Sequence, residues 1–353
     1  MLTTAKIDEK DVKHTGASIV VSFREEQGRV MHAAFYDHYV IQKITNRRTV
    51  HAIAPANTGT QIEDRTKSFE EYVKNNSCKF GDQKQTFHLP IIAKEIKNEG
   101  LLFIPGQRRF PKPGEFYDER RAYEFQLIKE ARLRGQPILA ICGGSWKLWN
   151  VFGGITVDVE GHTSPSMPSL GSDGSVENNP QMHAIELKDN TIVKACMDLN
   201  SKVSAKLKKQ PTANSVHWAA PLINEESLKM LQICAIAKPI EQSNQVNNRF
   251  TTDSIEAFEN RYGAPLVGIQ WHPEAYYKTK YANESEYLEH ERHLNILKYM
   301  AKSGDAYQLK QKMLQEFKDK ISQGGIFKNL KHNNKLIAAS KVHDQKDSKK
   351  MHK

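Results

Sequence analysis

A cysteine at the end of a short apolar run is the first residue whose setting favours chemistry. Cys142 closes the run 138–142, and Gly143 and Gly144 follow at once. A strand that turns sharply into a helix raises the residue at the turn above the sheet edge, and small neighbours permit the strained backbone. A helix N-terminus beside a sulfur favours the thiolate. The pattern predicts a nucleophile, whereas a core cysteine with no chemical role is the alternative.

A thiol nucleophile needs a base, and the base needs a group that orients it. His272 and Glu274 flank Pro273, directly after the strand-like run 265–271. Proline stops a strand, and residues two apart in extended backbone project to the same side. We expect Glu274 to accept a hydrogen bond from one ring nitrogen of His272 while the other faces the thiol. A chance histidine at a strand end beside an exposed glutamate is the alternative.

The elements that must position these residues read as alternating strands and helices. The apolar runs that predict the first four strands are 18–24, 49–55, 100–106 and 137–144. A helical pattern over 118–136 separates the last two runs, so these three elements form a βαβ unit with parallel strands. The segment 145–154 is predicted to be a helix that leaves Cys142.

The second half of the sequence has shorter elements. Residues 160–182 predict a long loop, because they are rich in Ser, Pro, Gly and Asn. The strands predicted after it are 182–188, 202–207, 232–239, 253–260 and 265–273. A helix is predicted over 285–304. Its expected buried positions are Leu288, Leu294, Ile296, Leu297 and Met300.

Together these elements predict an α/β fold with a mainly parallel, flavodoxin-like central sheet. Helices cover both faces, giving three layers, and a short antiparallel extension follows. His290 and His293 stand three apart on the predicted helix 285–304, a spacing seen in metal sites. Because that helix is rich in charge and no further ligands are evident, we expect a solvated helix face and no metal.

Composition limits the class of protein. The chain has 353 residues and 39% apolar content, enough for one large domain or two smaller ones. No apolar stretch reaches the length of a membrane-spanning helix, and the first residues lack the core of a secretory signal. The four cysteines lie far apart without a CxxC pair, which favours a reducing compartment. We therefore expect a cytoplasmic protein without cofactors.

The positive charge is concentrated at one end. Residues 301–353 hold 13 Lys and 5 acidic residues, so they supply +8 of the net charge of +10. We expect three parts: an N-terminal extension over 1–16, a catalytic domain over 17–304, and a basic tail over 305–353 that is partly helical or disordered. An acidic partner, such as nucleic acid or a membrane surface, is one expectation for the tail. A solvated end without a specific partner is the alternative.

Four segments resemble, in this order, the class I glutamine amidotransferase-like family. They are 137–154 around Cys142, "NSVHWAAP" at 214–221, "DSIEAFE" at 253–259 and "GIQWHPE" at 268–274. The branch that they resemble most is the γ-glutamyl hydrolases, including the γ-glutamyl-GABA hydrolase type. The resemblance spans about residues 17–300, and its anchors lie almost entirely within 100–300.

The resemblance implies a role for each matching residue. Cys142 matches the nucleophile, His272 the general base and acid, and Glu274 the carboxylate that orients it. Gly106 and Gly143 match the two residues whose amides form the oxyanion hole. The residues that match a segment beside the substrate pocket are Asn214, Ser215 and His217. The implied chemistry is attack on a γ-glutamyl amide, giving a thioester that water hydrolyses.

The sequence departs from the family at two places near the site. At the elbow, Ala140 stands where the family has glycine, and Gly143 stands where the γ-glutamyl-GABA type often has arginine. The family's PGG-x-D loop reads "PGQRR", with Gln107, Arg108 and Arg109. We expect Gln107 and Arg108 to contact substrate, since two arginines can hold a carboxylate or phosphate. A solvated loop is the alternative.

The leading prediction is a free-standing hydrolase for a small γ-glutamyl substrate, acting through a thioester on Cys142. The amidase subunit of a two-chain amidotransferase is one alternative. A non-enzymatic binding module that contacts its partner through the basic tail is another. Transfer of the acyl group to an amine would use the same three residues. The leaving group and the oligomeric state stay open.

Overall fold

The computed structural model of the chain describes fourteen stretches of residues. They are 16–23, 25–26, 29–30, 32–46, 50–54, 91–106, 119–158, 169–170, 176–177, 181–198, 210–217, 219–237, 254–278 and 280–322. The predicted strand 202–207, most of the predicted loop 160–182 and the loop residues Gln107, Arg108 and Arg109 lie outside them.

The described elements are sixteen strands, six α-helices and one 3₁₀ turn. The strands are β1 (Ile19–Ser22), β2 (Glu25–Glu26), β3 (Arg29–Val30), β4 (Val50–Ile53), β5 (Ile91–Ile92), β6 (Leu101–Ile104), β7 (Ile138–Ile141), β8 (Ile155–Asp158), β9 (Ser169–Leu170), β10 (Val176–Glu177), β11 (Gln181–Leu187), β12 (Thr212–Ser215), β13 (Ala219–Leu222), β14 (Leu231–Ala237), β15 (Ser254–Asn260) and β16 (Leu266–Ile269). The α-helices are α1 (His32–Thr45), α2 (Glu119–Arg134), α3 (Gly143–Val151), α4 (Ile192–Asp198), α5 (Glu225–Leu228) and α6 (Glu284–Ser322). A 3₁₀ turn covers Pro273–Tyr276.

A ten-stranded sheet organises the described residues. Its strand order is β12-β11-β14-β15-β16-β7-β6-β1-β4-β5. The pairs from β16 to β5 are parallel, and the pairs from β16 back to β12 are antiparallel. The prediction of a mainly parallel flavodoxin-like centre with an antiparallel extension is confirmed, and the extension has four strands.

Both faces of the parallel strands β1, β6, β7 and β16 are buried, which explains their continuous apolar runs. On β1, Ile19 and Val21 pack into one core together with apolar residues of α1 and α6. Val20 points to the opposite face and joins the core under α2 and α3. This alternation follows from the two-residue period of a strand. The sheet therefore lies between two helical layers, as predicted.

A buried ion pair joins the helix after Cys142 to its neighbours. The Lys147 ammonium on α3 contacts the Glu124 carboxylate on α2, and both side chains are fully buried. The Ser22 hydroxyl donates to the other oxygen of Glu124 at 2.6 Å. Removing one partner of such a pair leaves an uncompensated charge and typically costs about 3–5 kcal/mol. The pair therefore fixes α3 against α2 and the end of β1.

Several elements differ from the sequence prediction. Helix α1 was not predicted, because its segment mixes apolar and polar residues without a clear stripe. Helix α3 begins at Gly143, two residues before its predicted start. Strand β16 ends at Ile269, short of the predicted residue 273, because Pro273 opens a 3₁₀ turn. All five residues expected to be buried on the helix 285–304 are buried.

The chain divides after Tyr307 into two compact units. Helix α6 continues beyond residue 304, where the sequence predicted that the catalytic domain ends. The three-part division of the chain stays a prediction. Among the described residues, no helix combines the length and the apolar character that crossing a bilayer requires.

Candidate active site

Cys142 lies at a sharp turn between a strand and a helix. It follows β7 directly, precedes α3, and has φ 49° and ψ −118°, a left-handed backbone that is costly for a residue with a side chain. Its N–H donates to the Ile269 carbonyl at 2.7 Å, and its carbonyl accepts from the Ser145 N–H at 2.9 Å and hydroxyl at 2.7 Å. These bonds hold the strained conformation in place.

The glycine after the elbow is required by a close backbone approach. A Cβ on Gly144 would lie 2.3 Å from the Ile104 carbonyl oxygen and 2.9 Å from that of Pro105. Both atoms belong to the chain that leads into Gly106, the predicted donor of one oxyanion-hole amide. The sequence prediction that small residues surround Cys142 therefore has a steric reason at this position.

We expect Gly144→Ala to lower both stability and activity. The added methyl group must displace the backbone at residues 104–105, and overpacking of this kind costs about 1–3 kcal/mol. Thermal unfolding and amide hydrolysis rates measure the two effects. Gly135→Ala is the control, since Gly135 has φ 66° at the end of α2 and open space around it. It is expected to lose stability alone, and an equal loss of activity in both variants would contradict the steric explanation.

His272 and Glu274 meet as the sequence predicts. The His272 Nδ1 atom lies 2.6 Å from the Glu274 Oε1 atom, and both side chains are buried. The reason differs from the expected one: the two residues enter a 3₁₀ turn that begins at Pro273, whereas extended backbone was expected. Because β16 pairs in parallel with β7, His272 and Cys142 follow neighbouring strands at the same sheet edge.

The charges around His272 favour its protonated form. Burial lowers its pKa, but Glu274 and the sulfur of Cys142 raise it, and the outcome is a pKa of about 10. The Cys142 sulfur contributes to the raised pKa of His272, although the Nε2 atom makes no hydrogen bond within the ordinary distance and angle limits to a described residue. An imidazolium beside Cys142 is suited to stabilise a thiolate and to donate a proton.

The segment 214–217 contacts both Cys142 and His272. The Cys142 Sγ atom lies 3.8 Å from the Val216 carbonyl oxygen. The Asn214 side chain hydrogen-bonds the backbone of His272 at two points. Asn214, Ser215 and His217, which the resemblance places beside the substrate pocket, are all buried.

Behind this segment lies a buried cluster of one carboxylate and two histidines. The Glu256 oxygens on β15 lie 3.4 Å from His183 Nε2 and 3.6 Å from His217 Nε2. Burial raises the pKa of Glu256, but the two histidines lower it further, so the carboxylate stays ionised. His217 Nδ1 also lies 3.1 Å from the Ala219 carbonyl oxygen. Glu256 stands in the quoted "IEAFE" segment, whereas His183 gave no signal in the sequence.

The remaining predicted site residues divide by location. Gly106 directly follows the end of β6, and Gly143 is the first residue of α3, so both lie at the sheet edge that carries Cys142. Gln107 and Arg108 fall outside the described residues, and their predicted contact with substrate stays a prediction. Within the described ranges, no three His, Cys, Asp or Glu side chains form a group that could hold a metal ion.

The expectation of a solvated face for His290 and His293 is wrong for His293. His293 is fully buried, and its ring stacks on Tyr276 with centroids 3.8 Å apart. Burial and then Arg292 hold its pKa well below the ordinary value, so the ring is neutral and packs as an aromatic group. His290 is partly buried and lies 2.7 Å from the Tyr276 carbonyl oxygen. The sequence did not indicate this contact, because the neighbouring residues on the helix are charged.

Comparisons with known proteins point to one family. Residues 104–274 match the family Peptidase C26. A glutamine amidotransferase-like protein of Rickettsia prowazekii is 32% identical over 92 residues, which cover 24% of this chain and 58% of that protein. The chain therefore spans little more than half the length of this curated relative.

Two solved structures match much of the chain at low sequence identity. A glutamine amidotransferase from Thermotoga maritima matches with 14% identity and a TM-score of 0.42, covering 80% of this chain and 97% of that one. The glutaminase domain of CTPS from Trypanosoma brucei, with bound acivicin, matches with 13% identity and a TM-score of 0.41, covering 80% and 93%.

Proposed function

We propose that this protein cleaves γ-glutamyl amides. Residues 104–274 match the family Peptidase C26, whose class I glutamine amidotransferase-like type implies cysteine-dependent amide hydrolysis in general. The reaction passes through a γ-glutamyl thioester on Cys142. His272 acts as base and acid, and Glu274 orients it. The substrate is a small molecule with a γ-glutamyl group.

One observation supports this proposal most directly. A cysteine with φ 49° stands between a strand and a helix, beside a histidine whose Nδ1 lies 2.6 Å from a buried carboxylate. A cysteine buried only for packing needs neither the strained backbone nor a charged histidine as its neighbour. Nucleophile, base and orienting group in this relation are the arrangement that acyl transfer requires.

The proposed reaction has two halves. The Cys142 thiolate attacks the γ-carbonyl carbon and forms a C–S bond, while the amides of Gly106 and Gly143 stabilise the oxyanion. The His272 imidazolium gives its proton to the departing nitrogen as the C–N bond breaks. Neutral His272 then takes a proton from water, which attacks the thioester. The C–S bond breaks, glutamate leaves, and the thiolate and imidazolium are restored.

The alternative functions differ in what receives the acyl group or the released ammonia. An amidase subunit of a two-chain amidotransferase would perform the same first half and pass the ammonia to a partner. A transferase would pass the thioester to an amine in place of water. A binding module would have no use for the charged histidine beside Cys142. The acidic partner of the basic tail stays a prediction.

Mass spectrometry of the intact protein tests the proposal. The protein is mixed briefly with glutamine or with a panel of γ-glutamyl amines, and free glutamate is measured in parallel. We expect a transient adduct of γ-glutamyl mass that is absent from Cys142→Ser, together with released glutamate. The panel member with the largest burst of adduct identifies the preferred leaving group.

Other outcomes of this experiment are equally informative. An adduct that persists until an amine is added indicates a transferase. Turnover of glutamine that rises only with a cellular partner indicates an amidase subunit. A folded protein that forms no adduct and releases no glutamate with any member of the panel contradicts the proposal.

A further inference from the structure

Asn214 makes a two-point contact with the backbone of His272. Its Nδ2 atom donates to the His272 carbonyl oxygen at 2.9 Å, and its Oδ1 atom accepts from the His272 N–H at 2.9 Å. The two residues are 58 positions apart in the chain. The Asn214 amide thus pairs with His272 as a neighbouring strand would pair with it.

This contact lies beyond the point where β16 pairs with its neighbouring strands. The ladder of β16 ends at Ile269, and the Gln270 N–H still donates to the Glu256 carbonyl at 2.7 Å. Beyond it, His272 has φ −103° and ψ 87°, outside strand and helix. Its carbonyl also accepts from the Ala275 N–H inside the 3₁₀ turn. Asn214 therefore ties the His272 backbone to β12 of the sheet.

Asn214 is itself firmly held. It lies in β12, opposite Met182 in the antiparallel register, and it is 1% exposed. Its own N–H donates to the Tyr276 hydroxyl oxygen at 3.0 Å. Two residues further along the same chain, the Val216 carbonyl contacts the Cys142 sulfur. One short segment thus reaches the base through Asn214 and the nucleophile through Val216.

We propose that Asn214 is a positioning residue that fixes the distance between the His272 ring and the Cys142 sulfur. This inference rests on the proposed function only in taking His272 as the partner of Cys142. It differs from the role that the family resemblance implies, since both polar atoms of the Asn214 side chain bind the backbone of His272. Among the described residues, the titratable groups that act on the His272 ring are Glu274 and Cys142.

The test compares Asn214→Ala with Asn224→Ala. Asn224 also binds backbone with its side chain, donating to the Gly153 carbonyl and accepting from the Ser227 N–H, but it caps the short helix α5. The first measurement is the rate at which iodoacetamide alkylates Cys142 between about pH 5 and about pH 10. The modification is followed on the Cys142 peptide by mass spectrometry. It needs no substrate, so it stands even where the γ-glutamyl proposal fails.

A displaced imidazolium stabilises the thiolate less. We expect the alkylation profile of Asn214→Ala to move to higher pH and the rate near neutral pH to fall about tenfold. On the best γ-glutamyl substrate, kcat is expected to fall about 10²-fold with KM nearly unchanged, since a small misplacement of a reacting group has this effect. Asn224→Ala is expected to keep the alkylation profile and the kinetic constants of the parent protein.

Two results would overturn the inference. A substrate-binding role would raise KM while leaving kcat and the alkylation profile as in the parent protein. A purely structural role would give both Asn variants the same alkylation profile once their thermal stabilities are matched. If Asn214→Ala does not fold, Tyr276→Phe removes the oxygen that accepts from the Asn214 N–H and keeps the ring. Its alkylation profile must then shift in the same direction, and an unchanged profile contradicts the inference.

Discussion

Cys142→Ser is expected to lose γ-glutamyl amide hydrolysis by on the order of 10⁴-fold or more, with its thermal stability nearly unchanged. The substitution exchanges one atom in a side chain that is 2% exposed, so little packing is lost. A serine hydroxyl is a much weaker nucleophile than the thiolate that the proposed reaction uses, so the attacking species is lost. Steady-state glutamate release and thermal unfolding measure the two expectations.

Cys196→Ala is the matched control. Cys196 is also a buried free thiol, and burial, assisted by Glu259, raises its pKa to about 12. It remains a protonated, inert thiol at neutral pH, so its removal is expected to leave turnover unchanged. Activity in Cys142→Ser close to that of the parent protein would remove Cys142 from the mechanism.

Glu274→Gln is expected to lower kcat by on the order of 10⁴-fold near neutral pH, as replacing the orienting acid does in other triads. The glutamine keeps the shape of the side chain but removes the negative charge 2.6 Å from His272 Nδ1. The imidazolium then loses a main source of its stabilisation. Without it, the ring neither holds its orientation nor keeps its proton for the leaving nitrogen.

The pH dependence of this variant has a defined sign. The pKa of His272 is raised from 6.5 to about 10, so the ion pair stabilises the folded state fully below pH 6.5 and this contribution is lost as the pH rises through 10. Removing the carboxylate lowers the pKa of His272. We expect the alkaline limb of the kcat/KM profile to move to lower pH. The stability difference between parent and variant should be largest in acid and shrink toward pH 10.

Glu99→Gln provides the comparison. Glu99 also pairs with a histidine, since its carboxylate lies 3.0 Å from His51 Nδ1, and it is mostly buried beside β4, away from Cys142. It is expected to lose stability without a change in the pH profile of hydrolysis. An alkaline limb that stays in place in Glu274→Gln would mean that His272 does not set it.

The sheet centre and the elbow could be predicted because their signals are local. Continuous apolar runs of strand length, bounded by glycine or proline, predicted β1, β4, β6 and β7 within a few residues. The residue after β7 was singled out by its glycine neighbours, and the family resemblance implied its role as the nucleophile. In the same way, Pro273 marked the end of β16, although its effect on the backbone was a 3₁₀ turn.

The contacts that could not be predicted join residues distant in sequence. Nothing near Asn214 indicates that its amide binds the backbone of His272, because both partners are polar residues at ordinary loop or edge positions. The charged neighbours of His293 led to the prediction that it faces solvent, yet it is buried in an aromatic stack with Tyr276. Contacts between side chains at the sheet edge depend on which strands become neighbours. The apolar patterns of single strands do not determine the strand order.

The parallel pairing of β16 with β7 has a consequence for synthesis. The partners Ile138 and Leu266 are separated by 128 positions, and among the described residues β16 is the last strand along the chain in this sheet. Contacts of such long range form late, because the loop between them must first be closed. A chain emerging from the ribosome therefore carries Cys142 long before His272 can reach it. The thiol gains its charged neighbour only when the final strand docks, so reactivity reports completed folding.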